Sequence, residues 1–126
     1  MARGARLYPN ECVSRIVAAI PPGHYHIRLL VEFRDGTRII LHEATVAAIV
    51  RAYVDIITHP SRRGVILESR RLSKSERKPG YAEWQLVEAG GEEEAVNEII
   101  EALGGAQVAC STSSQGQGRL EARDRS

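Results

Sequence analysis

The stretch Val31-Glu32-Phe33-Arg34-Asp35-Gly36-Thr37-Arg38-Ile39-Ile40-Leu41 constrains the fold more than any other part of the chain. Two runs rich in apolar and β-branched residues, Tyr25–Phe33 and Thr37–His42, flank Arg34-Asp35-Gly36, so the segment reads as an antiparallel hairpin. A two-residue turn at Asp35-Gly36 would oppose Phe33 to Arg38 and Leu29 to His42, which mixes polar and apolar residues on both faces. A three-residue loop with Gly36 in the left-handed conformation instead opposes Phe33 to Thr37, Val31 to Ile39 and Leu29 to Leu41, and one face becomes apolar. The other face then carries Glu32 beside Arg38, Leu30 beside Ile40 and Arg28 beside His42, with His26 further out. Apolar residues at the centre of a mostly basic surface make a candidate groove; a solvated sheet face, or one covered by another chain, has the same pattern.

Around this hairpin the remaining elements follow from periodicity and punctuation. Tyr8–Ile20 opens with Pro9 and Asn10 and spaces Val13, Ile16, Val17 and Ile20 as a helix would, and Pro21-Pro22-Gly23 stops it. Thr45 can cap a second helix over Val46–Thr58, whose stripe of Val46, Ile49, Val50, Tyr53, Ile56 and Ile57 reads as core, and His59-Pro60 ends it. Gly64–Leu72 and Tyr81–Glu88, joined by the polar loop Ser73–Gly80, read as a second hairpin in which Ala82, Trp84 and Leu86 share the core face. Glu92–Leu103 reads as a third helix with three glutamates at the positive end of its dipole, ended by Gly104-Gly105. The expectation is an α+β fold in the order α-β-β-α-β-β-α, with a four-stranded antiparallel sheet of two hairpins packed against helices. One domain spans residues 1–105, and the Ser, Thr, Gln and Gly of residues 106–126 read as a flexible tail.

Composition narrows the class of function. With 126 residues, 43% hydrophobic and 26% charged, the chain supports one core and is not a disordered polymer. No apolar run approaches the ~20 residues of a membrane span, and the amino terminus lacks the apolar region of a secretory leader, so the expected location is the cytoplasm. Two cysteines cannot build a disulfide framework, and Cys12 and Cys110 read as packed or incidental thiols. A near-neutral total hides a segregation of charge: residues 1–91 carry 14 basic and 9 acidic groups, residues 92–126 carry 3 and 7. Within Ser61–Pro79 seven cations (Arg62, Arg63, Arg70, Arg71, Lys74, Arg77 and Lys78) face only Glu68 and Glu76. Such a basic stripe is the electrostatic footprint of a polyanion partner.

Catalysis finds less support. His24 and His26 point one way along a strand that His42 approaches from its neighbour, but no Cys or carboxylate at zinc-ligand spacing accompanies them, so no metal is expected. The sequence has no nucleophile elbow, no phosphate-binding glycine loop before a helix and no HExxH, and neither an enzyme nor a cofactor is expected. Single-stranded nucleic acid fits better, because it is held by cations that follow the phosphates and by apolar or aromatic surfaces on which bases stack. The candidate walls are Arg28 and Arg38 on the first hairpin with Arg62, Arg63, Arg70, Arg71, Lys74, Arg77 and Lys78 on the second. Leu30, Ile40, Tyr25 and Tyr81 are the candidate floor. Duplex reading by the central helix is disfavoured, since Arg51 is its only cation.

The segments LYPNECVSRIVAAIPPG, VEFRDGTRIILHEATVAAIVRAYVDIITHPSRRGV and RKPGYAEWQLVE, from Leu7 through Leu86 to Glu88, resemble the ThermoDBP-like single-stranded nucleic-acid-binding proteins of hyperthermophilic archaea. The resemblance covers about two thirds of the chain. It implies a small sheet backed by helices, a cleft with an apolar base and basic edges, and homo-oligomers, a dimer being expected. Full-length relatives carry a zipper-like carboxy-terminal helix. Here the stripe Ala95, Val96, Ile99, Ile100 and Leu103 spans about three turns, too short for a lasting coiled coil. Two alternatives stand beside the binder: a small metal-independent ribonuclease using His26 and His42 as acid and base, and an assembly or regulatory subunit that docks a protein partner.

Overall fold

The computed structural model describes residues 4–110. Their strands are Arg6–Leu7 (β1), Val13–Ala19 (β2), Arg28–Phe33 (β3), Arg38–His42 (β4), Ile66–Arg71 (β5), Trp84–Gly90 (β6) and Gln107–Val108 (β7). Two α-helices accompany them, Glu43–Thr58 (α1) and Glu92–Gly104 (α2), with a 3-10 turn at Asn10–Cys12. The strands form three sheets: antiparallel β2-β3-β4, antiparallel β5-β6, and a parallel pair β1-β7. The expected single four-stranded sheet and the order α-β-β-α-β-β-α are therefore corrected. No strand pairing joins the two hairpins; α1 packs against β3 and β4 of one and β6 of the other.

The first helix expected over Tyr8–Ile20 is instead the 3-10 turn followed by β2. An apolar run this short satisfies either period, and its β-branched Val13, Ile16 and Val17 suit a pleated surface. What decides is the free edge of β3: β2 pairs with it from Val13 opposite Phe33 to Ala19 opposite Arg28, with a bulge between Val13 and Arg15. At the bulge the Ser14 hydroxyl donates to the Glu32 carbonyl at 2.9 Å, so the irregularity leaves that acceptor satisfied.

The register expected for the first hairpin is observed. Val31 opposes Ile39, Leu29 opposes Leu41, and the other face pairs Glu32 with Arg38, Leu30 with Ile40 and Arg28 with His42. Gly36 has φ 93°, a backbone conformation that L side chains rarely adopt. The Phe33 amide donates to the Thr37 carbonyl at 2.9 Å. Asp35 organises the turn: its carboxylate accepts from the Thr37 amide at 3.0 Å, from Arg6 at 2.7 Å and from the Tyr8 hydroxyl at 3.1 Å. Those bonds, led by the Thr37 amide, lower its pKa to about 2. Tyr8 also packs on Phe33, with ring centroids 3.8 Å apart.

Helix α1 begins at Glu43, earlier than the expected Val46, and Thr45 is not its cap. The Glu43 carboxylate accepts the Ile27 amide at 2.7 Å, which ties the helix start to the strand before it and lowers the carboxyl pKa, with His26 adding to the effect. The expectation that the large apolar stripe of α1 is core is also corrected. Ala48 is buried and Ala44 and Ala52 are half-buried, whereas Ile49, Val50, Tyr53, Val54 and Ile57 are exposed. Small residues allow the helix to sit close on the sheets; of the stripe's large residues Val46 and Ile56 are half-buried and the others face outward.

At α2 the amide of Gly91 donates to Glu94 at 3.1 Å, one half of a capping box. Gly64 lets the helix approach: a Cβ there would lie 2.9 Å from the Ala95 Cβ. After α2 the chain does not become tail at residue 106. The Gln107 and Ala109 amides donate to the Ala5 and Leu7 carbonyls, each at 2.9 Å, and Cys110 forms a disulfide with the fully buried Cys12. The reading of two unpaired thiols is thus corrected; the remainder of the expected tail, residues 111–126, lies outside the described residues.

Candidate nucleic-acid interface

Because the hairpins lie in separate sheets, the candidate wall and floor residues fall into three groups. On the first sheet, cross-strand neighbours share a face, so Val17, Leu30 and Ile40 form a row with Arg15, Glu32 and Arg38 at one end and Ala19, Arg28 and His42 at the other. The apolar centre is present, with Leu30 half-buried and Ile40 exposed. Its cations are engaged. Arg15 and Arg38 clasp the one Glu32 carboxylate at 2.6 and 2.9 Å and hold its pKa below the usual carboxylate range. Arg28 donates to the Ile27 carbonyl at 3.2 Å. Tyr25 lies in the β2–β3 connection and is 90% exposed.

Arg62 and Arg63 lie before β5, at the end of the second hairpin that faces the start of α2. Arg62 pairs with Glu88, and a shallow hollow of ≈ 550 Å³ there is lined by Arg63, Glu92, Glu93 and Val96. Two glutamates at its rim make it a poor seat for a phosphate. Arg70, Arg71, Lys74, Arg77, Lys78 and Tyr81 lie at the opposite end of the hairpin, about 17 Å away at the usual rise per strand residue.

This far end has a defined local structure. Glu76 accepts the Ser73 amide at 2.8 Å and receives Arg70 at 3.4 Å; both lower its pKa, the Ser73 amide most. Arg71 pairs with Glu83 at 2.5 Å. The Tyr81 amide donates to the Lys78 carbonyl at 3.1 Å across Pro79-Gly80, and Gly80 has φ 84°. A proline followed by a positive-φ glycine is the signature of a type II turn. The turn brings Lys78 back beside Tyr81, which is 59% exposed. Among the described residues, Lys74, Arg77 and Lys78 take part in no ion pair.

Trp84 opens β6 opposite Arg71, and here the sequence reading is corrected. The alternation of Ala82, Trp84 and Leu86 points to the core, yet Trp84 is 57% exposed. Leu86, two residues on, is half-buried where Arg51 of α1 donates to its carbonyl at 3.0 Å; α1 reaches the middle of β6. Exposed at the same hairpin end as Tyr81 and the loop cations, Trp84 is a candidate residue that sequence reasoning missed. Its signal was present in its position at the strand end nearest the most basic segment.

The histidines are dispersed in role. His26 Nδ1 sits 3.3 Å from the Glu43 carboxylate, while His42 precedes α1 opposite Arg28. No group of three His, Cys, Asp or Glu side chains suited to a metal occurs among the described residues, and no described helix is long and apolar enough to cross a membrane. No protein-family model, curated protein or solved structure matches the chain.

Proposed function

We propose that the protein binds single-stranded nucleic acid, with little regard to sequence, on the loop end of the β5–β6 hairpin. The observation that carries this reading is the exposure of Tyr81 and Trp84 at the hairpin end whose loop carries Lys74, Arg77 and Lys78, cations without an ion-pair partner among the described residues. Phosphates take the cations, and unstacked bases take the rings; every base has a π-face, so such a platform is tolerant of sequence. A duplex hides those faces and gains only the phosphate contacts. The first sheet is the weaker seat, since Glu32 already occupies Arg15 and Arg38. The resemblance to ThermoDBP-like proteins supports the same ligand class. It also supports an intracellular setting in a hyperthermophile, where disulfides such as Cys12–Cys110 are common inside the cell.

Fluorescence anisotropy with labelled single strands of mixed sequence and with a duplex, at about 50 and 200 mM salt, tests the reading. Single strands bind more tightly than the duplex. The triple substitution Lys74→Ala, Arg77→Ala, Lys78→Ala lowers the slope of log affinity against log salt by about 2 and weakens binding about a hundredfold near 0.1 M salt. Absence of binding at low salt, or a triple variant indistinguishable from wild type, overturns it.

A further inference from the structure

The outer face of α1 asks for an occupant, and we infer that it is α1 of a second copy of this chain, packed antiparallel about a two-fold axis at Tyr53. Ile49, Tyr53 and Ile57 form one ridge at four-residue spacing, flanked by Val50 and Val54, and all five are exposed, Tyr53 to 65%. The ridge is symmetric in kind: an isoleucine lies one turn to either side of the tyrosine. An antiparallel copy lays Ile49 against the partner's Ile57 and each tyrosine beside the axis, so the same patch serves both subunits, as a two-fold interface requires. Ridges of four-residue spacing also interdigitate in the commonest class of helix packing, at a crossing angle near −50°.

Area and charge favour this occupant. The five residues expose on the order of 500 Å² per copy, which doubled is about 1,000 Å², the size a specific interface should clear. On α1 the charged residues are Glu43, Arg51 and Asp55; none belongs to the ridge, so no charged partner is called for. The chain's own residues 111–126 supply a single large apolar residue, Leu120, too little to cover the patch. Helix α2 also exposes Ile99, Ile100 and Leu103, but it carries Glu92, Glu93, Glu94, Glu98 and Glu101. Of these, Glu92 and Glu93 lie on the same side of the helix as the exposed apolar residues, so two copies meeting there would bring four carboxylates together, a repulsion that α1 avoids.

Sedimentation equilibrium of the full chain at micromolar concentration reads the inference directly. Wild type has twice the chain mass, and Tyr53→Glu has the single mass with an unchanged circular dichroism spectrum, because an exposed tyrosine holds no core together. Ile100→Glu on α2 remains a dimer. Tyr53→Cys, oxidised, forms a covalent dimer on a non-reducing gel, whereas Ile49→Cys does so far less, being placed a turn from the axis. A monomeric wild type, a Tyr53→Glu variant that is still dimeric, or equal cross-linking at both positions overturns the inference. None of these readouts uses nucleic acid, so the proposed binding stands or falls separately.

Discussion

The two hairpins end in opposite ways. At the β3–β4 turn the charges are spent on the protein itself: Arg6, Tyr8 and Thr37 converge on Asp35, Arg34 donates to the Glu11 carbonyl at 2.6 Å, and Arg15 and Arg38 share Glu32. At the β5–β6 end Glu76 and Glu83 answer Arg70 and Arg71, and three further cations with two exposed rings are left over. A short loop with one glycine at positive φ closes the first end, while a long polar loop keeps the second open. The contrast separates two uses of arginine and lysine on the same motif. Cations bound to the chain's own carboxylates fix a turn and lose their attraction for an external anion, whereas those left in water retain it.

Loss of the disulfide is the strongest blow to the closed end. Cys12 and Cys110 are separated by 98 residues, so Cys110→Ser lowers unfolding free energy by about 2–5 kcal/mol in urea titration. Under native conditions oligonucleotide affinity is unchanged, because the open hairpin has no strand pairing to that region; a parallel fall in affinity would erase the distinction. Next comes Trp84→Ala, which weakens single-strand binding by about 1–3 kcal/mol in an anisotropy titration, while Ile40→Ala on the first sheet leaves it unaltered. Equal losses would return the first sheet to candidacy. Gly36→Ala costs about 1–2 kcal/mol of stability by thermal denaturation, since it forces a side chain into the left-handed region, and it spares binding.

The smallest effect is a pH dependence confined to the closed end. Asp35 has a folded pKa lowered to about 2, chiefly by the Thr37 amide. A carboxyl depressed in this way adds stability that is complete above its unfolded pKa of about 4 and is lost as pH falls through about 2. Between pH 4 and 2 the melting temperature of wild type falls more steeply than that of Asp35→Asn. Parallel profiles would show that the Asp35 bonds do not persist in solution.

Legibility in the sequence followed the range of the forces involved. The register of β3–β4 was readable because only one position for Gly36 sorted polar from apolar residues. The existence of α1 was readable from its period, but the side it buries was not. Periodicity groups Ile49, Tyr53 and Ile57 on one face; it does not say that Ala44, Ala48 and Ala52 make the closer contact. The same limit misplaced Trp84, whose alternation with Leu86 was right while the reach of α1 along β6 was invisible. β2 was misread because its partner edge lies beyond local sequence, and the Cys12–Cys110 link spans nearly the whole described chain. At the candidate interface the cations and Tyr81 were legible as composition, whereas which of them are neutralised depended on Glu76, Glu83 and Glu88 meeting particular arginines in space.

Trp84 is the one tryptophan of the chain, so its fluorescence reports from the proposed platform alone. Titrating the protein with oligo-dT or oligo-U at low salt should quench the emission saturably, with stacking on the ring, and added salt should reverse it. Emission unaltered by any single strand, under conditions where anisotropy shows the oligonucleotide bound, would place the ligand elsewhere and contradict the account.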